Sequence, residues 1–255
     1  MKTLIFIPAR YYSSRFPGKP LADILGKPMI QHVYEKACRS RKADKVMVAT
    51  DDLRIFSVVK EFGGNVVMTA KEHKSGTDRI TEAAEKEMGD IFINLQGDQP
   101  LICPEDIDLL IDRMTSDPSC NIATLCHPIS RDEAENPNTV KVVLSSYGKA
   151  LYFSRSLIPY ARQGVKNISY NKHIGIYGFR RHILAQYKNL PFSKLENHEN
   201  LEQLRILESG FSIDVLETDR VNDKGVDTPE DLEIVKQILA DNQATASSTL
   251  GSAYS

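Results

Sequence analysis

The sequence holds few cysteines, and they are poorly placed for shared work. Cys38, Cys103, Cys120 and Cys126 are scattered, with no C-x-x-C pair and no histidine ladder beside them. That spacing excludes the usual zinc and disulfide frameworks, and the four read as reduced thiols of a cytoplasmic protein. Long apolar runs are missing too. No stretch approaches the roughly 20 residues that a membrane helix needs, so no membrane span is expected. The apolar run near the start, Thr3 to Ile7, stops at Pro8 and Arg10. It is shorter than the about 7–15 residues of an export signal and lacks a small-residue cleavage site. A strong net charge is absent: 32 Lys and Arg stand against 34 Asp and Glu. No global positive field therefore exists to attract nucleic acid. Two motifs are also absent. Without G-x-x-x-x-G-K-[ST] there is no Walker A loop. Without Asp-x-Asp, because Gln99 and Pro100 follow Asp98, many metal-dependent glycosyltransferases are disfavoured.

What is present is an alternation of two periods. "TLIFIPA", "KVMVAT", "NVVMT" and "DIFINLQGD" read as strands. Between and after them, "MIQHVYEKACRS", "DLRIFSVVKEFGG", "GTDRITEAAEKEMG" and "PEDIDLLIDRMTS" have helical spacing. In the first of these helices Ile30, Val33, Tyr34 and Ala37 share a face. Such β-α-β-α order predicts an α/β fold with a mainly parallel sheet covered on both faces. The 255 residues, 41% of them hydrophobic, suit one large domain or two small ones.

The middle differs. "VKVVLSSYGKALYFSRS" reads as two strands around a Tyr147-Gly148 turn, and "YNKHIGIYGFRR" as a further strand. This antiparallel character suggests an insert at about 120–195 within one domain spanning 1–242. "LENHENLEQLRILESG" reads as helix, "FSIDVLETD" as strand, and "TPEDLEIVKQILADN" as a last helix. Residues 243–255 are small and polar and read as a flexible tail.

The basic residues are local. "IPARYYSSRFPGKPL" puts Arg10, Arg15 and Lys19 on the segment that leaves the first strand, with no acid among them. Backbone amides and cations at such a place suit phosphate oxygens. In open α/β sheets ligands bind beyond the carboxyl ends of strands. Gly97-Asp98 leaves another strand at that edge, so both segments should face one cleft, with Gly97 permitting a tight turn. Asp98 at a strand end suits Mg²⁺, which takes one or two protein carboxylates plus phosphate oxygens and water. Asp227 is the candidate second acid. In "GVDTPEDLE" Thr228 fits the N-cap, Pro229 the first helical position, and Asp231 closes a capping box, leaving Asp227 free. Gly26-Lys27-Pro28 repeats the Gly-Lys-Pro of 18–20, but there a turn with Pro28 in the first helical turn explains it. Ser75 with Asp78 reads as a second capping box. Thr50 and Asp51 end the second strand, and Asp51 doubles as a cap for the next helix.

"IPARYYSSRFPGKPL" resembles the nucleotide loop of the transferases that activate 3-deoxy sugar acids with CTP. "ATDD" at 49–52, "MTAKEHKSGTDR" at 68–79, "NLQGDQP" at 94–100 and "ALYFSRSLIP" at 150–159 are similar to one branch, the 3-deoxy-manno-octulosonate (Kdo) cytidylyltransferases. "KHIGIYGF", "LEQLRILE" and "GVDTPEDLE" extend the likeness, so that it covers roughly 1–240. The resemblance implies a Rossmann-like three-layer nucleotidyltransferase fold with a mainly parallel mixed sheet. It implies a homodimer in which the antiparallel insert supplies contacts, and the making of CMP-Kdo and pyrophosphate from CTP and Kdo for lipopolysaccharide biosynthesis.

Roles follow from the likeness, residue by residue. Arg10, Lys19, Asp98 and Asp227 are implied as catalytic, with Asp98 and Asp227 on Mg²⁺. Ala9, Ser14, Arg15, Ser75, Arg79 and Gln96 join Arg10 and Lys19 on the nucleotide, Ser75 and Arg79 at the base. Gln96, Arg155, His173, Tyr177, Glu202 and Gln203 are implied for the sugar, Arg155 through its carboxylate. His173 and Tyr177, four apart on a strand, share a face. His198, Glu199 and Asn200 are expected in solvent. One residue departs from the family: Gln99 stands where it usually has Glu. That points to an amino-substituted Kdo analogue as an alternative substrate, beside a sialic acid. A nucleotide-binding regulatory module is the non-enzyme alternative.

Overall fold

In the computed structural model all residues are described except 13–14, 164–167, 221–223 and 253–255, with side chains in the last helix as far as Ala244. The strands are β1 Thr3–Ala9, β2 Asp23–Ile24, β3 Lys27–Pro28, β4 Lys45–Thr50, β5 Val66–Met68, β6 Ile91–Leu95, β7 Ile122–Ile129, β8 Lys141–Leu144, β9 Ala150–Ser154, β10 Tyr170–Arg180 and β11 Asp214–Glu217. The helices are α1 Met29–Ala37, α2 Leu53–Glu61, α3 Gly76–Glu85, α4 Pro104–Ser116, α5 Arg131–Glu135, α6 Arg181–Tyr187, α7 Lys194–Glu199, α8 Gln203–Glu208 and α9 Pro229–Ser252. A short 3₁₀ turn covers Lys19–Leu21.

The main sheet runs β11-β7-β10-β6-β1-β4-β5. In this row only β10 is antiparallel to its neighbours. The chain steps outward from β1 to β4 and β5, then crosses to β6 on the other side of β1. That reversal puts a crevice at the carboxyl ends of β1 and β6.

Strands buried on both faces need apolar residues at every position. β1 supplies them. Ile5 and Ile7 pack with Ile30 and Val33 of α1, Ile55 of α2 and Leu110 of α4. Leu4 and Phe6 face the opposite way, toward Ile80 of α3, Leu184 of α6 and Leu204 of α8. A third cluster is smaller. Ile24, Met29, Leu101 and Val226 enclose Leu232, Val235 and Leu239 of α9. Each such side chain contributes about 1.5–3 kcal/mol when fully buried, and together they seat the base of α9 against the β2–β3 hairpin.

The antiparallel residues do not form a separate body. β7 and β10 lie inside the main sheet, and only β8 and β9 branch from it, β8 pairing with both β10 and β9. The sequence reading passed over β7, whose burial on almost every position hides the alternation of a half-exposed strand. The segment 194–208 is two helices rather than one. Asn200 breaks it with a left-handed backbone, φ 54°, the usual way to end a helix. At the chain's end α9 continues to Ser252 and so takes in most of the segment read as a tail.

Candidate active site

The segment after β1 doubles back on itself. The Gly18 amide donates to the Tyr11 carbonyl at 2.8 Å, and Gly18 has a left-handed φ of 75°. A Cβ there would stand 3.2 Å from the Tyr11 ring, so glycine is needed for both reasons. The Arg54 guanidinium covers the other part of that ring, 3.3 Å from its centre. The turn delivers Lys19 beneath the carboxyl ends of β1 and β6. Gly97 helps differently from the expected tight turn. Its φ is not among the positive ones; a Cβ would lie 2.8 Å from the Pro8 carbonyl oxygen. Room, not torsional freedom, is what it provides.

Lys19 Nζ donates to Asp98 Oδ2 at 2.7 Å and to the Val226 carbonyl at 2.7 Å, and lies 3.6 Å from Asp227 Oδ1. The Val226 amide returns a bond to the Asp98 carbonyl at 2.9 Å. Thus two carboxylates remote in sequence converge on one ammonium. Arg15 donates to Asp227 at 2.9 Å, but both side chains are more than half exposed. Such a pair contributes little and exchanges readily for another anion. Arg10 is exposed at the same rim. Asp227 is indeed spared from capping: Thr228 and Asp231 form the box, with Asp231 Oδ2 accepting from the Asp227 and Thr228 amides at 3.0 Å.

These groups line one end of a cleft of about 590 Å³ that also takes in Ala9, Ser75, Arg79, Gln96, Arg155 and Glu202. A chamber of about 340 Å³ continues it past Gln96, Arg155, Asn138 and Glu202 to His173, Tyr177, Tyr187 and Gln203. Every described residue singled out from the sequence as a site residue borders one space or the other. Ser14 lies outside the described residues. Gln99 borders neither; its amide packs at Gly225, where a Cβ would be 3.0 Å away.

At the outer end of the cleft, Ser75 caps α3. It accepts from the Asp78 amide at 3.0 Å while Asp78 accepts from the Ser75 amide at 3.2 Å. Arg79 is buried and donates to Thr69 Oγ1 at 2.5 Å and to the Ala70 carbonyl at 3.2 Å. Asp51 faces it at 3.4 Å. The cap of α2 is therefore not Asp51 but Asp52, which accepts from the Arg54 amide at 2.9 Å. Glu82 ties down the same turn, accepting from the Ala70 amide at 2.8 Å and meeting His73 at 2.6 Å. Burial raises its pKa, but Lys86, the Ala70 amide and His73 outweigh that and hold it at about 2.

On the chamber side, Arg155 donates through Nε to the Glu199 carbonyl at 2.8 Å and through Nη1 to the Pro137 carbonyl at 3.2 Å. Glu199 is not a solvent residue. Its carboxylate accepts from Ser154 Oγ at 2.6 Å and from the Arg155 amide at 2.9 Å. His198 and Asn200 are exposed as expected, although Asn200 borders both spaces. Lys141 is fully buried and gives its ammonium to the carbonyls of Asn136, Thr139 and Arg155, at 3.1, 2.6 and 2.6 Å. Burial first, and then the Arg155 charge, lower its pKa.

His173 and Tyr177 do share a face, their rings 5.3 Å apart. They do so across a bulge in β10 between Ile174 and Tyr177. Two extra residues preserve the parity of a strand, and Thr124 closes the gap by donating to the Ile176 carbonyl at 2.7 Å. Glu202 accepts from Thr77 Oγ1 at 2.9 Å and from the first amides of α3 at 3.4 Å. Its burial still raises its pKa beyond what those bonds remove. Asn94 donates to Thr77 Oγ1 at 3.2 Å, and Gln96 to Asn94 at 3.2 Å. Gln203 is buried, because the break at Asn200 turns the start of α8 inward.

Sequence reasoning missed Thr77, Asn94, Asn138, Lys141 and Glu199. A lysine inside the apolar run "VKVVL" and an asparagine inside "IFINL" were the available signals, since polar groups at strand-core positions need partners. The other three carried none.

The chain matches the family described as "Cytidylyltransferase" over residues 4–217. It is 51% identical over 243 residues to the 3-deoxy-manno-octulosonate cytidylyltransferase of Escherichia coli, covering 95% of this chain and 98% of that one. The corresponding protein of Thermodesulfovibrio yellowstonii is 51% identical, with 94% and 98% covered. Among solved structures, a CMP:2-keto-3-deoxy-manno-octonic acid synthetase complexed with CTP superposes with a TM-score of 0.91 at 51% identity, covering 95% of this chain and all of that one. A cytidylyltransferase from Leptospira borgpetersenii shares the fold at 20% identity and a TM-score of 0.63, with 92% and 85% covered.

Proposed function

The chain belongs to the cytidylyltransferase family, in its 3-deoxy-manno-octulosonate branch, and on that premise we propose that it joins CTP to Kdo, giving CMP-Kdo and pyrophosphate. The anomeric hydroxyl oxygen of the sugar attacks the α-phosphorus. A new P–O bond forms, the bond from the α-phosphorus to the bridging oxygen breaks, and the hydroxyl proton leaves to solvent. The observation that carries this reading is the two-part cleft. Its rim of Arg10, Arg15 and Lys19 suits a polyanion, its recess of buried hydroxyl, amide and carboxyl groups suits a sugar, and both meet at Gln96, Asp227 and Arg155.

In such a transfer, positioning and charge stabilisation do most of the work. Arg10 and Lys19 hold the phosphates, with Arg15 released from Asp227 to join them. The Ser75 turn and Arg79 hold the base, and Gln96 reaches the ribose or the sugar. Arg155 pairs with the sugar carboxylate: Nε and Nη1 are engaged by carbonyls, which fixes the plane of the guanidinium. His173, Tyr177, Glu202 and Gln203 take the hydroxyls.

Asp98 and Asp227 fit Mg²⁺. Both are hard oxygen donors that already converge on one cation, Lys19. No cluster of three or more His, Cys, Asp or Glu suited to a metal occurs among the described residues. Two carboxylates with room for phosphate oxygens and water match this ion. When bound, Mg²⁺ would supply charge neutralisation at the phosphate and lower the pKa of the attacking hydroxyl.

We further infer a cytoplasmic homodimer. No described helix is long and apolar enough to cross a membrane. Among the described strands β9 pairs only with β8; its other edge is bonded at its start, where the Ala150 amide donates to the Ile213 carbonyl, and beyond that Leu151 is exposed, so the remaining edge suits a second copy. Pyrophosphate release from CTP and Mg²⁺ with Kdo, an amino-substituted Kdo and a sialic acid tests the reaction. Turnover with a sialic acid but not with Kdo would overturn it.

A further inference from the structure

The chamber is bordered by a phenol that the reading above leaves unused. Tyr187, at the end of α6, is 1% exposed. Among the described residues its hydroxyl has no hydrogen-bond partner, and neither has Gln203 Nε2 on the same chamber. A buried polar group without a partner costs about 1–3 kcal/mol. The fold therefore gains nothing from this oxygen, and phenylalanine would fill the same space. The Arg205 guanidinium, 5.2 Å from the ring centre, contacts the ring and not the hydroxyl's bonding needs.

The surroundings say what would satisfy it. Tyr187 lies within electrostatic reach of both Tyr177 and Glu202. It borders the inner chamber but not the outer cleft with its phosphate-binding rim, whereas Arg155 borders both. Burial pushes the phenol's pKa up, so it stays neutral and keeps its proton to donate. On the reading of this chamber as the Kdo site, the carboxylate and anomeric carbon lie toward Arg155 and Asp98. The far end of the sugar, its exocyclic hydroxyl tail, then lies deepest.

We propose that the Tyr187 hydroxyl is a specificity contact for that tail, hydrogen-bonding a sugar hydroxyl remote from the reacting carbon. This assigns a reason for a polar atom that the described residues of the fold leave unsatisfied.

The test is Tyr187→Phe, assayed by pyrophosphate release with Kdo varied at saturating CTP and then CTP varied at saturating Kdo. One neutral hydrogen bond predicts a rise of roughly five- to tenfold in the KM for Kdo. The KM for CTP should stay within about twofold and the Tm should be unchanged or higher, because the unpaired oxygen is gone. A Kdo analogue lacking its terminal hydroxyls should show the same loss with the wild-type enzyme and no further loss with the variant. An unchanged KM for Kdo would overturn the proposal, as would equal rises in both KM values with a lowered Tm. Additive losses between analogue and variant would also overturn it. Absence of wild-type turnover with Kdo would overturn the functional reading and the proposal together; normal wild-type turnover with an indifferent variant would overturn the proposal alone.

Discussion

The buried ammonium of Lys141 holds the backbone of Arg155, donating to its carbonyl at 2.6 Å. The other two bonds of that ammonium fix the 136–139 turn, whose Pro137 carbonyl in turn accepts from the Arg155 side chain. Arg155 is thus gripped at both its backbone and its guanidinium by one small network.

Lys141→Met should break that grip. Three carbonyls lose a charged donor, and a stability loss of about 3 kcal/mol is expected. Sugar affinity should fall at temperatures where the variant is still folded. In an Arg155→Ala background the same substitution should cost no further sugar affinity, because the group it positions is gone. A double-mutant cycle on the KM for Kdo, with thermal melts alongside, checks this; strict additivity would mean that Lys141 does not act through Arg155, and an unchanged KM with a lowered Tm that it acts only on the fold.

Lys19→Ala should cut turnover sharply, whereas Lys27→Ala should be almost neutral. The two share Gly-Lys-Pro but not surroundings. Lys19 sits between two carboxylates at the cleft; Lys27 pairs with Glu35 away from it, where both are partly exposed. Loss of a charge-assisted contact costs roughly 1.5–3 kcal/mol, equivalent to about ten- to a hundredfold in kcat/KM. Steady-state kinetics on both variants decide it.

Asp98→Asn should lower kcat by about a hundredfold or more and leave the circular dichroism spectrum unchanged. The amide keeps the shape but removes the charge facing Lys19. Restored activity at high Mg²⁺ concentration would argue that the residue only tunes affinity for the ion. Near-normal activity at ordinary Mg²⁺ would remove Asp98 from the metal pair.

Glu82→Gln should make stability less sensitive to acid. With a folded pKa of about 2, below the ordinary 4.5, the carboxylate stabilises the native state fully above 4.5. That contribution fades as the pH falls from 4.5 toward 2. The gap in Tm between wild type and variant should therefore be widest near neutrality and narrow across that window. A gap independent of pH would show that the lost bonds, not the charge, set the difference.

The α/β layers were legible because β1, β4 and β6 and the helices between them carry clean periods, and the capping boxes at Ser75 and Thr228 follow from local spacing alone. The cluster of Lys19, Asp98 and Asp227 was legible for a similar reason: strand ends at one sheet edge must converge. On the chamber side Arg155, His173, Tyr177, Glu202 and Gln203 were named through the family resemblance, but the residues that hold them in place were not. Glu199 and Asn138 act through backbone turns whose course depends on the left-handed Asn200 and on contacts between distant segments. The reversed strand β10 was read as antiparallel, but its place between β6 and β7 inside the main sheet was hidden, since strand order is set by which faces must be covered, not by any one strand's pattern.

The third apolar cluster has a consequence in time. Val226, Leu232, Val235 and Leu239 lock the base of α9 onto the hairpin near the front of the chain, and this seat carries Asp227 to Asp98 and Lys19. A chain leaving the ribosome has every described strand of its sheet by Glu217. It gains its second carboxylate only afterwards, when the last helix closes back on the first turn. A chain that stops short of Asp227 therefore carries one acid of the pair and not the other, and the cleft becomes whole only once the two ends of the chain have met.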